Sequence, residues 1–158
     1  MRGVRDSTRG TRGRSAIVDE ELLALLSEHK LGVLVTLKRD GRPQLSNVNY
    51  TYDSARRLIR VSVTADRAKT RNLLRDPRAS FHVRSDDGWA WTVAEGDAEL
   101  TPVAADPQDD TVEELIDVFR AIQGEHPDWD EYRSAMVADR RLVVRLRVAH
   151  AYGQPQRS

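Results

Sequence analysis

Two hydrophobic rhythms alternate along the chain, and their order predicts a β-rich domain with helices on its outside. Leu22, Leu23, Leu25 and Leu26 recur at helical spacing behind a capping Ser15 or Asp19, so a first helix runs to about His29-Lys30. Period-two alternation then takes over: Leu31, Val33, Val35 and Leu37 predict a half-buried strand over 31–38. Asp40-Gly41-Arg42-Pro43 is a turn, and a returning strand spans 44–52 with Ser46, Asn47 and Asn49 mixed into it. A third strand covers 58–63. A basic helix over 67–75 must end before Asp76-Pro77, because proline cannot continue it. Phe81 and Val83 alternate with His82 and Arg84 in a strand over 79–84, and Asp86-Asp87-Gly88 signals a hairpin. The next strand runs 89–100, kinked at Gly96, with Trp89 and Trp91 on one face.

Helical spacing returns over 111–123, where Val112, Leu115, Ile116, Phe119 and Ile122 form one stripe. Asp110 caps this helix with Glu113 three residues on, and Gly124 ends it. Asp128 caps a further helix through Met136. A last strand covers 142–148, with Leu142, Val144, Leu146 and Val148 inward and Arg141, Arg145 and Arg147 outward. Antiparallel strands joined by short turns, with few helices, predict a mainly β fold with peripheral helices, a closed or split β-barrel. A barrel this small has little interior room. A ligand belongs on its outside, where a second copy of the chain can supply the other wall of the site.

With 158 residues the chain is read as one domain over 16–158 behind a disordered basic tail over 1–15. The tail reading rests on five Arg against one Asp in residues 1–14 and on the absence of any periodicity there. Outside the tail the chain is mildly acidic, which argues against general nucleic-acid binding. No apolar run approaches the roughly 18 residues of a membrane span, and no signal-peptide pattern is present, so the expected setting is cytoplasmic. Cysteine is absent, which removes disulfides, thiolate nucleophiles and Cys-ligated metals. His29, His82, His126 and His150 show no metal-ligand spacing. The acidic cluster from Asp106 to Glu114 fits the preference of carboxylates for a helix N-terminus.

The candidate chemistry sits after the third strand. Arg67, Lys69, Thr70 and Arg71 open the basic helix, where free N–H groups already favour an anion. Arg adds a bidentate fork and Lys a mobile point charge, so the stretch suits a phosphorylated small ligand. A solvated basic helix face is the plainer alternative, and Arg71 can instead pair with Asp66 or Glu95.

Several stretches together resemble the flavin/deazaflavin-binding split-barrel family, the group of pyridoxamine-phosphate-oxidase-like proteins. They include Leu31-Gly32-Val33-Leu34-Val35-Thr36, Asp40 to Val48, Arg67-Ala68-Lys69-Thr70-Arg71-Asn72 and Asp76-Pro77-Arg78-Ala79-Ser80. Gly88-Trp89, Val93-Ala94-Glu95-Gly96 and His150-Ala151-Tyr152-Gly153 complete the set, which spans roughly 17–155. The resemblance is narrower still to the class that uses the deazaflavin coenzyme F420. It implies an FMN-binding-like split barrel and a homodimer with cofactor sites at the interface. Arg67, Lys69 and Thr70, with Arg71 beside them, would then hold the cofactor phosphate. Ser62 and Val63 would lie beside the ring, and Gln44, Ser46 and Asn47 would line the same groove. Trp89 would approach from the partner subunit. Arg56, Arg57 or Arg60 would line the path of the polyanionic cofactor tail.

The activity this implies is an F420-dependent oxidoreductase, passing a hydride from F420H2 to an electron-poor small-molecule acceptor such as a quinone, a tetrapyrrole or a conjugated carbonyl compound. FMN on the same scaffold, or a carrier that binds deazaflavin without turnover, are the alternatives. No acid/base pair or triad is apparent in the sequence, and no catalytic residue is assigned.

Overall fold

The computed structural model describes residues 15–157, with side chains from Glu20 onward; the tail expected over 1–15 lies outside the described residues except for Ser15, where the first helix begins. Four helices, α1 (Ser15–Glu28), α2 (Ala68–Arg75), α3 (Asp110–Gln123) and α4 (Trp129–Ala138), surround eight strands. These are β1 (Leu31–Leu37), β2 (Pro43–Asn49), β3 (Thr51–Asp53), β4 (Leu58–Thr64), β5 (Arg78–Arg84), β6 (Trp91–Leu100), β7 (Arg141–Arg147) and β8 (His150–Gln154). The strands pair in the order β2-β1-β5-β6-β7-β4-β3, with β8 added to β6. Every pairing is antiparallel. The sheet curls into a split β-barrel.

The split lies in β6. Residues 91–95 of β6 pair β8, whereas 98–100 pair β7. Gly96 stands at the switch, and a Cβ there would collide with the Arg147 carbonyl. The core inside the curl contains Leu26, Leu34, Tyr50, Ile59, Phe81 and Leu146, each at most 1% exposed. The Leu22, Leu23, Leu25 and Leu26 stripe of α1 is buried as its spacing demands.

The single strand expected over 44–52 is two strands in different parts of the sheet. β2 pairs β1, and β3 pairs β4. Tyr50 makes the break. Its ring is fully buried, its hydroxyl donates to the Leu26 carbonyl at 2.7 Å, and its N–H donates to the Lys30 carbonyl at 2.9 Å. Trp89 is not on a strand either. Ser85 and Asp87 build a wider turn, with the Trp89 N–H donating to Asp87 Oδ1 at 3.0 Å, and β6 starts at Trp91. The cap of α3 is Asp109 rather than Asp110, accepting from the Val112 N–H at 2.8 Å. Glu113 is thereby one position too late for a capping box and pairs Arg133 instead. Asp128 caps α4 as expected, accepting from the Glu131 N–H.

Helices α3 and α4 cover the outer face of β7. Val112, Leu115, Ile116, Val118, Tyr132 and Met136 bury Val143, which the alternation of the last strand places outward. A strand packed on both faces loses its period-two signature. Arg145 Nε donates to Glu114 Oε1 at 2.9 Å, and Arg60 Nη1 lies 3.7 Å from the same oxygen. Arg60 Nε is buried without a hydrogen-bond partner among the described residues. Glu114→Ala should therefore cost about 2 kcal/mol, because two guanidinium groups lose their shared carboxylate. A chemical denaturation series checks this, and a variant as stable as the wild type removes the pair from the account of how α3 docks.

Candidate cofactor cleft

β4 ends at Thr64 and the chain turns into α2 within three residues. The Thr70 hydroxyl closes this turn by donating to the Thr64 carbonyl at 2.8 Å. Arg67 occupies the cap position of α2 but makes no side-chain cap, so the first N–H groups of the helix are left without that partner. Lys69 follows in the first turn, beside a cleft of about 430 Å³.

One wall of the cleft is polar: Asn47 and Asn49 of β2, Ser62 of β4, Lys69 of α2 and Arg141 of β7. Antiparallel register sets Arg141 opposite Thr64, and its guanidinium reaches across to donate to Ser62 Oγ at 3.2 Å. Burial, followed by the nearby Arg67 and Arg141 charges, pushes the Lys69 ammonium below the ordinary lysine range. Among the described residues none of Arg67, Lys69 and Arg141 forms an ion pair. Three cations with no ion-pair partner among the described residues, at the uncapped start of a helix, fit a ligand that brings its own negative charge.

The other wall is apolar: Val118, Phe119 and Ile122 of α3, with Tyr132 and Met136 of α4. The Tyr132 hydroxyl is already spent, donating to the Leu115 carbonyl at 3.0 Å. Burial raises its pKa to about 12, so near neutral pH it stays protonated. Asp139 lies at the rim.

The structure sorts the residues named from sequence. Lys69, Ser62 and Asn47 meet in the cleft, with Arg67 exposed at its edge and Arg71 exposed farther along α2. The Val63 side chain turns the other way into the core, 2% exposed, because neighbours on a strand face opposite sides. Thr70 is equally buried, and its hydroxyl serves the turn. Gln44 and Ser46 share the face of β2 opposite Asn47, and Gln44 Oε1 accepts from Asn72 Nδ2 of α2 at 2.9 Å. Trp89 stands 82% exposed at its turn and does not line the cleft. Arg57 pairs Glu20 and Arg56 lies near Asp53. Arg56 and Arg60 line a separate, acid-containing hollow with Arg145 and Arg147. Arg141 and the whole apolar wall were not singled out from sequence. Arg141 reads as one outward basic residue in an alternating strand, and only the β4–β7 register brings it to Ser62.

A split barrel with a cationic cleft where β4 meets α2 defines the class of protein. Residues 18–154 match the pyridoxamine 5'-phosphate oxidase family, and the chain belongs to it. An F420H(2)-dependent biliverdin reductase of Mycobacterium tuberculosis is 28% identical over 137 residues, covering 86% of this chain and 88% of the relative. Among solved structures, an F420 reductase superposes with a TM-score of 0.61 at 24% identity, covering 82% of this chain and 94% of that one. A conserved hypothetical protein of Mycobacterium tuberculosis superposes with a TM-score of 0.68 at 22% identity, covering 93% and 90%. Among the described residues no helix is long and apolar enough to cross a membrane.

Proposed function

We propose that this protein is an F420-dependent reductase, taking a hydride from F420H2 to an electron-poor small molecule. The observation that carries the proposal is the group of Arg67, Lys69 and Arg141, gathered at the cleft with no ion-pair partner among the described residues. The 28% identical F420H(2)-dependent biliverdin reductase supports the choice of cofactor. Arg67 and Lys69, with the free N–H groups of α2, would hold the phosphate, while Arg141 faces the rest of the cleft. Asn47, Asn49 and Ser62 would meet the polar edges of the rest of the molecule.

When bound, the reduced deazaflavin supplies a hydride, which with one proton completes a two-electron reduction. The chain's own part is to bind and orient. Tyr132 is committed to Leu115 and keeps its proton, which leaves it out as the proton donor. A quinone, a tetrapyrrole or a conjugated carbonyl compound suits such a step.

We also propose a homodimer through the outer face of β5, β6 and β8. His82, Trp91, Tyr152 and His150 form a chain of ring contacts there, at 6.2, 6.0 and 6.3 Å between centroids. Leu31 at 61% and Tyr152 at 46% exposed are costly to leave in water, and Trp89 would reach a partner from its turn. Sedimentation at micromolar concentration should give twice the chain mass, and Tyr152→Arg should give the single-chain mass.

Fluorescence titration with coenzyme F420 and, in parallel, FMN tests the cofactor. Tight F420 binding, followed by anaerobic oxidation of F420H2 with menadione or biliverdin, is the expected result. Preference for FMN would move the protein to flavin chemistry. Tight F420 binding with no turnover of any acceptor would make it a carrier.

A further inference from the structure

The two walls of the cleft differ in chemistry, and a phosphate-bearing cofactor explains only the polar one. The apolar wall is the edge of the cluster that α3 and α4 form on β7, and part of it reaches beyond the core. Val112, Leu115 and Ile116 of α3 are at most 3% exposed, whereas Phe119 and Ile122, on the same stripe, remain half-buried and face the cleft.

This wall is braced from behind. Phe119 packs at 5.0 Å from Tyr132, 5.3 Å from His126 and 5.7 Å from Trp129, measured between ring centroids. Arg120 lies 4.8 Å over the Trp129 ring. Lys30 Nζ donates to the Ile122 carbonyl at 2.9 Å and ties the end of α3 to the start of β1. A ring held by three others presents a fixed apolar surface and loses little freedom when something lies against it. Across the gap, Arg141 offers donors to a carbonyl or carboxylate oxygen. An apolar face with a few convergent polar groups opposite is the usual make-up of a small-molecule site.

We propose that the α3–α4 wall is the acceptor subsite: a flat, conjugated, carbonyl-bearing molecule lies against Phe119 and Ile122 with its oxygens toward Arg141. The assignment rests on the reading of the polar wall as the cofactor's side. Phe119 and Ile122 are specificity-determining residues, acting on acceptor affinity and not on cofactor binding.

Menadione, a flat naphthoquinone, is the probe. Its binding to the full chain without cofactor is read by quenching of tryptophan fluorescence, since Trp129 sits directly behind Phe119. In the wild type, menadione should quench saturably, and Trp129→Phe should remove most of the quenching. Phe119→Ala should raise the menadione Kd about tenfold while the F420 Kd stays within about twofold. With F420H2 present, the variant should show a raised KM for menadione and a kcat close to wild type. Phe119→Leu keeps apolar bulk without the flat ring and serves if the alanine variant melts early. No menadione binding by the wild type, unchanged menadione affinity in both variants, or a loss of F420 affinity instead would each overturn the subsite. Failure of the wild type to bind F420 would overturn the functional proposal alone, because menadione quenching needs no cofactor.

Discussion

Lys69→Ala is expected to weaken coenzyme F420 binding about ten- to a hundredfold while leaving the fold intact. A hydrogen bond to a charged group contributes ~1.5–3 kcal/mol, and Lys69 is a half-buried cation of the polar wall. Removing it should not destabilise the free protein. Its ammonium is partly desolvated and faces two like charges, so the folded-state pKa lies below the unfolded one. That penalty is fully present below the folded pKa and disappears as pH rises toward the ordinary lysine value, the alkaline side of the profile. At pH 7 the alanine variant without ligand should therefore melt at or above the wild-type temperature, while the rise in Tm on adding F420 shrinks. In the wild type, affinity should also fall as pH climbs through the depressed lysine range. Lys69→Arg, charged throughout, should abolish that fall. Titrations from pH 7 to 10.5 on the three proteins decide the matter. Equal affinity in a folded Lys69→Ala variant would remove the phosphate site from this cleft.

The second large effect is structural. Gly96→Ala should cost about 3 kcal/mol, at the upper end of overpacking penalties. The added Cβ meets the Arg147 carbonyl, which is backbone and cannot swing aside as a flexible side chain would. Relief requires β6 to part from the end of β7 at the switch between its two partners. For a domain of this size the loss corresponds to a fall of roughly 6–12 °C in Tm. Calorimetry measures it, and a shift under about 2 °C would show that the junction yields easily. The effect should appear without ligand, which separates it from Lys69→Ala, whose cost appears only on binding.

Local pattern was enough where one face of an element is buried and the other is wet. The alternation in β1 and β5 and the stripes of α1 and α3 predict those elements within a residue or two, because burial writes the period into the residues. It failed where pairing partners decide the structure. Alternation over 44–52 carries no mark of the change from β1 to β4 as partner; a buried Tyr50 anchored to α1 makes that change. β8, at 150–154, has no alternating apolar run at all. It is a strand because β6 leaves an edge open beside 91–95, and because Gly153, at φ 154°, lets the two backbones close up.

The same division holds for the cleft. Arg67 and Lys69 were legible as a cationic helix start because charge, turn and helix lie within a few residues of one another, where sequence spacing is spatial spacing. Period two also separates Ser62 from Val63, and Asn47 from Gln44 and Ser46, but it leaves open which face meets the cleft. Curling of the sheet answers that by burying Val63 and exposing Ser62. Arg141 stands 79 residues from Ser62 in the chain, and the two meet through the β4–β7 register. Phe119 and Ile122 look like ordinary members of a buried stripe until the reach of α3 past the core is known. Short-range spacing was sufficient for the one-sided elements, the family resemblance and the cationic turn, but not for β8 or for the break at Tyr50. Which cations converge, which stripe residues stay uncovered and where the barrel splits were decided by the tertiary structure, because long-range register and packing place those groups together.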